Sequence, residues 1–355
     1  NVFLKIDPDG VCTVSITRSD MGQGVRTTLA MLVAEELDAD WSMVKVTQAP
    51  GDRATYGGMG TGGSSSVRGT NQQMRRVGAS ARAMLVAAAA KQWGVEPSAC
   101  RTEAGKVLGP SSQSLGYGAL TTAAKAIPIP TEVKLKERSE YKIIGKPQNR
   151  VDNLDVVTGK AVYGADVRRE GMLYAVCLRP SVFGSKSETI DDAKARAVPG
   201  VVDVFAISSG VAVVASNTWA ALKGREALEV KWTEGPKHST ASLREALKAA
   251  AKDHNAMPEG AKRVTANYEL PYLAHATMET LNAVADVRDD RVEVWTGSQS
   301  PDSAQNNVAR ATGLTADKVE IHNLLLGGGF GRKFSNEWIG EAVEISKRMK
   351  KPVQL

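Results

Sequence analysis

A chain of 355 residues is long enough for two or three domains and a sizeable core. Hydrophobic residues make up 42% of it and charged residues 24%, which is an ordinary globular composition. The net charge of +6 comes from scattered basic residues without interleaved aromatic side chains, so we expect no nucleic-acid partner. No apolar run approaches the ~20 residues of a membrane span, so we expect none in this chain.

Cysteine usage argues against a metal centre held by protein thiolates. Cys12, Cys100 and Cys177 are isolated, without a CxxC pair, and cannot hold an iron–sulfur cluster or a four-thiolate zinc. We interpret each as a small buried apolar residue and predict no metal-ligating residues.

Alternating and helical hydrophobic patterns predict an α+β fold with mixed sheets and packed helices. The predicted strands are residues 2–6, 11–17, 44–48, 173–178, 201–207, 211–215, 292–296 and 319–326. The predicted helices are residues 25–37, 71–92, 218–228, 241–251, 301–312 and 336–349.

The first candidate site is the turn Gly22-Gln23-Gly24, which precedes the first predicted helix. It places an amide side chain at a helix N-terminus between two residues that permit close backbone approach. Such an amide could hydrogen-bond a planar heterocycle, although a simple turn with an exposed glutamine fits the tripeptide equally well.

A second glycine-rich stretch, residues 57–63, ends in Ser64, Ser65 and Ser66 just before the Ala-rich helix. Hydroxyls and free amides at a helix N-terminus favour an anion. A flexible linker has a similar composition. Because this stretch lies directly before a strongly predicted helix, however, the anion site is the better interpretation.

The third stretch runs from Leu324 through Gly327, Gly328 and Gly329 to Phe330, Gly331, Arg332 and Lys333. Three leucines predict a strand buried on both sides, and the glycines then expose backbone amides. Arg332 and Lys333 would add fixed positive charge for a bound oxyanion. A tight turn without any ligand would also favour glycine here.

His275 and Glu279 are four residues apart and could imitate half a metal site on a helix. Pro271 and the strand-like neighbours argue against a helix, so we favour a structural histidine. Polar stretches at 128–140 and 234–254 predict domain boundaries.

Several motifs, in one order along the whole chain, resemble the molybdenum-binding large subunits of the xanthine oxidase superfamily, above all the isoquinoline 1-oxidoreductase and bacterial aldehyde dehydrogenase branch. The motifs that carry the resemblance are residues 21–27, 62–66, 159–166, 274–279 and 327–332. The resemblance implies the permuted domain order of that branch. Molybdopterin-binding regions at 1–130 and 262–355 would flank a hammerhead-like domain at 141–233.

The resemblance also implies an activity. Such enzymes hydroxylate an aldehyde carbon, or a carbon next to a ring nitrogen, with oxygen from water, and electrons leave through iron–sulfur clusters. Their cofactor is molybdopterin cytosine dinucleotide with molybdenum, whose diphosphate would explain two anion-seeking loops. The metal is held by the pterin, and the protein supplies orientation and hydrogen bonds.

Individual roles follow from the matched motifs. Gln299 matches the glutamine beside a molybdenum ligand, and Phe330 and Gly331 match the loop that passes the metal; these three are the predicted catalytic positions. The implied cofactor contacts are Gly22, Gln23, Gly24, Ser64, Ser65, Ser66, Gly328, Gly329, Phe330, Gly331 and Arg332.

Two departures from the family pattern stand out. The family's glutamate base lies near the end of the complete subunit, and this chain has no match for it. The sequence is therefore expected to be half of a subunit or one product of a split gene. Phe334 stands where purine hydroxylases carry a substrate-binding glutamate, which favours an aldehyde or an apolar heteroaromatic substrate.

The resemblance further implies a small [2Fe-2S] partner subunit, a cytochrome c acceptor, and a periplasmic location reached through an export signal that is later removed. Two other hypotheses stay open at this stage. One is a catalytically silent cofactor-binding or assembly module that lacks the glutamate. The other is a nicotinamide-dependent dehydrogenase, which is less favoured because neither glycine loop keeps GxGxxG spacing.

Overall fold

The computed structural model describes residues 1–251 and 258–355. Two compact units contain them: Asn1–Leu173 with Thr277–Leu355, and Tyr174–Ala276. The last three residues of the predicted boundary at 234–254 lie outside the described residues. None of the described helices is long and apolar enough to cross a membrane.

Helices and strands follow one another along the chain without a regular β-α-β repeat, which confirms the predicted α+β fold. The strands are β1 Leu4–Ile6, β2 Cys12–Ile16, β3 Val44–Gln48, β4 Arg101–Glu103, β5 Lys106–Leu108, β6 Ser114–Gly116, β7 Leu173–Leu178, β8 Ser187–Asp191, β9 Val201–Ile207, β10 Gly210–Ala215, β11 Glu229–Trp232, β12 Ala283–Val287, β13 Val292–Thr296, β14 Val319–Asn323 and β15 Val353–Gln354. The helices are α1 Val25–Leu37, α2 Arg53–Tyr56, α3 Ser66–Trp93, α4 Tyr117–Ala124, α5 Asn153–Val157, α6 Ala193–Arg196, α7 Thr218–Ala227, α8 Thr240–Ala250, α9 Pro301–Thr312 and α10 Glu337–Met349.

The N-terminal part of the first unit is built around two packed helices. The sheet β1-β2-β3 has β2 antiparallel to β1 and parallel to β3, and its apolar side chains join the core beneath α1 and α3. A Cβ on Gly78 of α3 would lie 2.3 Å from the carbonyl oxygen of Val33 in α1. Only glycine therefore allows the two helices to approach this closely.

The C-terminal part of the first unit contains strands in the order β14-β13-β12-β15. β13 is parallel to β14 and antiparallel to β12, and α9 and α10 cover the sheet. The two loops that matter below leave this sheet, one after β13 and the other after β14.

The second unit contains the antiparallel strands β7-β10-β9 and the separate pair β8-β11. Its core packs Val204 and the apolar residues of β10 against α6. Residues 141–173 belong to the first unit, ahead of this one. The hammerhead-like domain at 141–233 stays a prediction.

Two predicted boundaries differ most from the structure. Helix α3 begins at Ser66, five residues before the predicted start, so the serine run enters the helix itself. Strand β14 ends at Asn323, and the three leucines that follow make only an isolated bridge between Leu325 and Tyr163. Of the three, only Leu326 is fully buried.

A buried carboxylate, Glu35, ties residues 136–144 to α1. It accepts hydrogen bonds from the amides of Lys142, Ile143 and Ile144 and from Lys136 Nζ. Burial alone would raise the pKa of Glu35, but these donors outweigh it and lower the pKa. The ionised form therefore stabilises the fold.

We expect Glu35→Gln to lower the free energy of unfolding at pH 7 by about 3 kcal/mol, because an amide cannot accept all of these bonds. Since the folded pKa lies below the unfolded value of 4.5, the wild-type contribution is present above that pH and is lost as pH falls through the folded pKa. Denaturant unfolding between pH 7 and 3 should show a shallower pH dependence for the variant. Glu96→Gln, at an exposed position, is the control; equal pH profiles for Glu35→Gln and wild type would contradict the assignment.

Candidate functional site

All three glycine-containing stretches singled out in the sequence lie in the first unit. We call them the first, second and third loops: residues 18–24, 57–66 and 327–334.

Backbone and hydroxyl hydrogen bonds join these loops directly. The Leu326 amide, directly before the third loop, donates to the Asp20 carbonyl in the first loop at 3.1 Å. The Ser19 amide donates to Thr61 Oγ1 at 2.8 Å, which joins the first loop to the second. Three stretches separated by up to about 300 positions in sequence therefore form one cluster.

Gln299 occupies the centre of this cluster, in the turn between β13 and α9, and is only 3% exposed. Its Nε2 donates to the Thr61 carbonyl at 2.8 Å, and its Oε1 accepts from the Gly331 amide at 3.0 Å. A Cβ on Gly329 would lie 2.7 Å from that same Oε1. The amide of Gln299 is thus fixed between the second and third loops.

The third loop presents unpaired backbone donors. Within the described part of the chain, the amides of Gly328, Gly329 and Phe330 donate to no protein atom. Phe330 is 66% exposed and, with a φ of 52°, adopts a left-handed conformation that is unusual for a bulky residue. Such a turn can bind an oxyanion or another strong acceptor through its backbone.

The two basic residues after this turn are already paired. Arg332 forms an ion pair with Glu337 and a 3.3 Å hydrogen bond to Ser335. Lys333 is 1% exposed and contacts Glu279. The expectation that Lys333 offers a charge to a ligand was therefore wrong, because its charge faces the protein interior.

The second loop leads into the N-terminus of the 28-residue helix α3, where no side chain caps the first turn. Ser65 Oγ donates to the Gly62 carbonyl at 2.8 Å, whereas the hydroxyls of Ser64 and Ser66 contact no partner among the described residues. The Phe334 ring covers this loop, since a Cβ on Gly60 would lie 3.3 Å from it. The free end of a long helix favours an anion.

The first loop differs from the prediction in one respect: the chain itself caps helix α1. Asp20, which is 2% exposed, accepts from the amides of Gly22 at 2.9 Å and Arg26 at 3.2 Å. The exposed Gln23 side chain closes its own turn, with Oε1 accepting from the Met21 amide. Asp20 therefore occupies one amide of the first turn of α1, and Gln23, whose Nε2 also donates to the Ser19 carbonyl at 3.0 Å, keeps one side-chain N–H for a ligand.

Arg150 was not among the site residues predicted from the sequence. Its guanidinium donates to the Gly22 carbonyl at 2.7 Å and to Asp20 at 3.3 Å, and it also pairs with Asp152. Arg150 therefore holds the first loop in shape. It borders a cavity of about 160 Å³ lined by Asp20, Gly22, Arg150, Asn153, Val156, Tyr163, Leu325 and Leu326.

Glu279 anchors the third loop from below. Its carboxylate accepts from Lys333 Nζ at 2.5 Å, from the Gly327 amide at 2.9 Å and from the Gly164 amide at 3.1 Å. Burial alone would raise the pKa of Glu279, but the bonds from Lys333 and Gly327 lower it. His275 is exposed, and no group of three potential metal-ligating side chains occurs within residues 1–251 and 258–355.

Models of known protein families match two parts of this chain. A molybdopterin cofactor-binding domain model matches residues 1–170, and a second model of that description matches residues 238–355. The chain belongs to the molybdopterin cofactor-binding family. The first match contains the first and second loops and Arg150, and the second contains Gln299 and the third loop.

The molybdopterin-binding chain is homologous to molybdenum subunits of aldehyde and N-heteroaromatic oxidoreductases. It is 30% identical to the isoquinoline 1-oxidoreductase subunit beta of Brevundimonas diminuta over its whole length and 54% of that protein. It is 31% identical to a membrane-bound aldehyde dehydrogenase (pyrroloquinoline-quinone) of Gluconacetobacter polyoxogenes, again over its whole length and 49% of that protein. The chain thus spans about half the length of these curated relatives.

Among solved structures, the quinoline 2-oxidoreductase of Pseudomonas putida 86 aligns with a TM-score of 0.47 and 21% identity. The alignment covers 57% of this chain and 33% of that one. The individual site residues, from Gly22 to Arg332, stay predictions.

Proposed function

We propose that this chain is the molybdenum-cofactor-binding part of a hydroxylase. The enzyme would oxidise an aldehyde or an N-heteroaromatic carbon with oxygen from water and pass the electrons to iron–sulfur clusters. The observation that carries the proposal is the meeting of three loops around Gln299, which leaves the free amides of the third loop and the uncapped end of α3 in one cluster.

These groups fit a large polyanionic pterin cofactor. The amides of Gly328, Gly329 and Phe330 would donate to its strongest hydrogen-bond acceptors, and the end of α3 with Ser64 and Ser66 would hold phosphate. When bound, the molybdenum supplies the two-electron chemistry. Gln299, fixed by Thr61 and Gly331, would orient a polar group at the reacting centre.

The finer features of the assembly belong to the same proposal. The cofactor would be the cytosine dinucleotide form, since a diphosphate suits the second loop. A small [2Fe-2S] subunit would receive the electrons and pass them to a cytochrome c. The complex would work in the periplasm. The family resemblance supports each of these.

A second candidate, a catalytically silent cofactor-binding or assembly module, is favoured by one observation. Glu279, the carboxylate beside the third loop, accepts hydrogen bonds from Lys333 and two backbone amides, and the lowered pKa makes it a weak base. A general base must then come from outside these residues, and a chain that never acquires one would bind the cofactor without turnover.

Turnover in isotopically labelled water distinguishes the two candidates. We expect the purified assembly to oxidise an aldehyde or isoquinoline with an artificial electron acceptor and to place ¹⁸O from H₂¹⁸O in the product. Product that carries oxygen from O₂ would contradict the hydroxylase proposal. Cofactor retention without any turnover would favour the silent module.

A further inference from the structure

Apolar and other side chains alternate, with a period of two, along one segment of the second unit. From residue 264 to 276 every even-numbered position is apolar, and the odd-numbered positions are polar except for a proline and a leucine. The even positions are Val264, Ala266, Tyr268, Leu270, Tyr272, Ala274 and Ala276. Such alternation is typical of a strand with one face buried.

The structure leaves this segment, which we call the apolar strip, uncovered. Val264, Tyr268, Leu270 and Tyr272 are each about nine-tenths exposed. No backbone amide from 264 to 275 donates a hydrogen bond to another described residue, and the segment belongs to no strand. Four neighbouring large apolar side chains in water are unusual unless another surface covers them.

One odd-numbered side chain of the strip has a partner in the second unit. Arg244 of helix α8 donates to both carboxylate oxygens of Glu269, at 3.0 and 2.8 Å. Glu269, at an odd-numbered position, therefore contacts the unit's own helix α8, whereas the large even-numbered side chains stay exposed.

We propose that the apolar strip is a β-strand that pairs with polypeptide corresponding to the half of the curated relatives that this chain does not span. That half would supply a strand edge and an apolar surface, whether it lies on the same chain or on another. The proposal depends on the length comparison and on the strip's pattern, and it does not depend on the chemistry proposed above.

Pro271 decides which edge of the strip pairs. Proline has no N–H, so the edge that carries the odd-numbered backbone groups is interrupted. In a strand the even-numbered residues would point their N–H and C=O groups to the other edge, which has no proline and, among the described residues, no local hydrogen bond from Val264 to Tyr272. We therefore expect the partner strand to bond the even-numbered residues.

Hydrogen exchange of the intact, purified assembly tests the pairing. We expect the amides of Ala266, Tyr268, Leu270 and Tyr272 to exchange at least about a hundredfold more slowly than in an unstructured peptide. The amides of Glu269 and Leu273, on the other edge, should exchange faster than these four. Unprotected even-numbered amides would overturn the proposal.

Photo-crosslinking of the same assembly identifies the occupant. With p-benzoylphenylalanine in place of Tyr272, cross-links should map to sequence that aligns with the second half of the relatives. The matched control carries the probe at Asn267, on the opposite face, and should give few such cross-links. Cross-links to a second copy of residues 1–355 or to lipid, or equal yields from both positions, would overturn the proposal.

Discussion

Replacing Lys333 with methionine should destabilise the first unit by about 3 kcal/mol, because it leaves the carboxylate of Glu279 buried without its counter-charge. The estimate lies at the low end for a broken buried pair, since the amides of Gly164 and Gly327 still donate to Glu279. Methionine fills a similar volume, so the loss reports the charge rather than a cavity. Denaturant unfolding measures the effect, and exposed Lys347→Met is the matched control.

A double-variant cycle separates the ion pair from packing. With Glu279→Gln added to Lys333→Met, the unpaired buried charge is gone, and part of the lost stability should return. Strictly additive losses, or an effect of Lys333→Met no larger than that of Lys347→Met, would show that the pair does not anchor the third loop.

Replacing Gln299 with alanine should slow turnover of the complete enzyme by a factor on the order of ten to a thousand, the scale for one lost preorganised hydrogen-bonding group. The truncation also frees the Gly331 amide and the Thr61 carbonyl, which Gln299 now bridges. The cofactor should stay bound, because the free amides of the third loop and the end of α3 are unchanged.

Steady-state turnover and cofactor content, measured on the same preparation, check this result. Exposed Gln72→Ala in helix α3 is the control and should leave both quantities unchanged. Unchanged turnover in Gln299→Ala would remove Gln299 from the site, and loss of the cofactor would make it a binding residue instead.

Local patterns were enough to predict many individual elements. Helix α1 and strand β3 have the predicted bounds, because each has its own periodicity and a clear breaker beside it. The positions of the three loops were predictable for the same reason, since glycine clusters after strands mark turns that expose backbone.

What the sequence could not show depends on contacts between distant residues. The leucines after Asn323 look like a buried strand, yet the chain leaves the sheet because Leu326 bonds to the Asp20 carbonyl and Gly327 to Glu279. The role of Arg150 is equally remote, since nothing near it in sequence relates it to Gly22, which lies 128 positions away. Charge next to glycine likewise suggested a ligand for Lys333, whose actual partner is 54 positions away.

The central claim is that the three loops around Gln299 hold one molybdenum-containing pterin nucleotide. Elemental and nucleotide analysis of the purified assembly tests it most directly. The account predicts molybdenum with about two phosphorus atoms per metal, as a dinucleotide requires, and release of a cytidine nucleotide on acid hydrolysis. Protein that contains neither molybdenum nor nucleotide phosphate, or that contains a quinone instead, would contradict it.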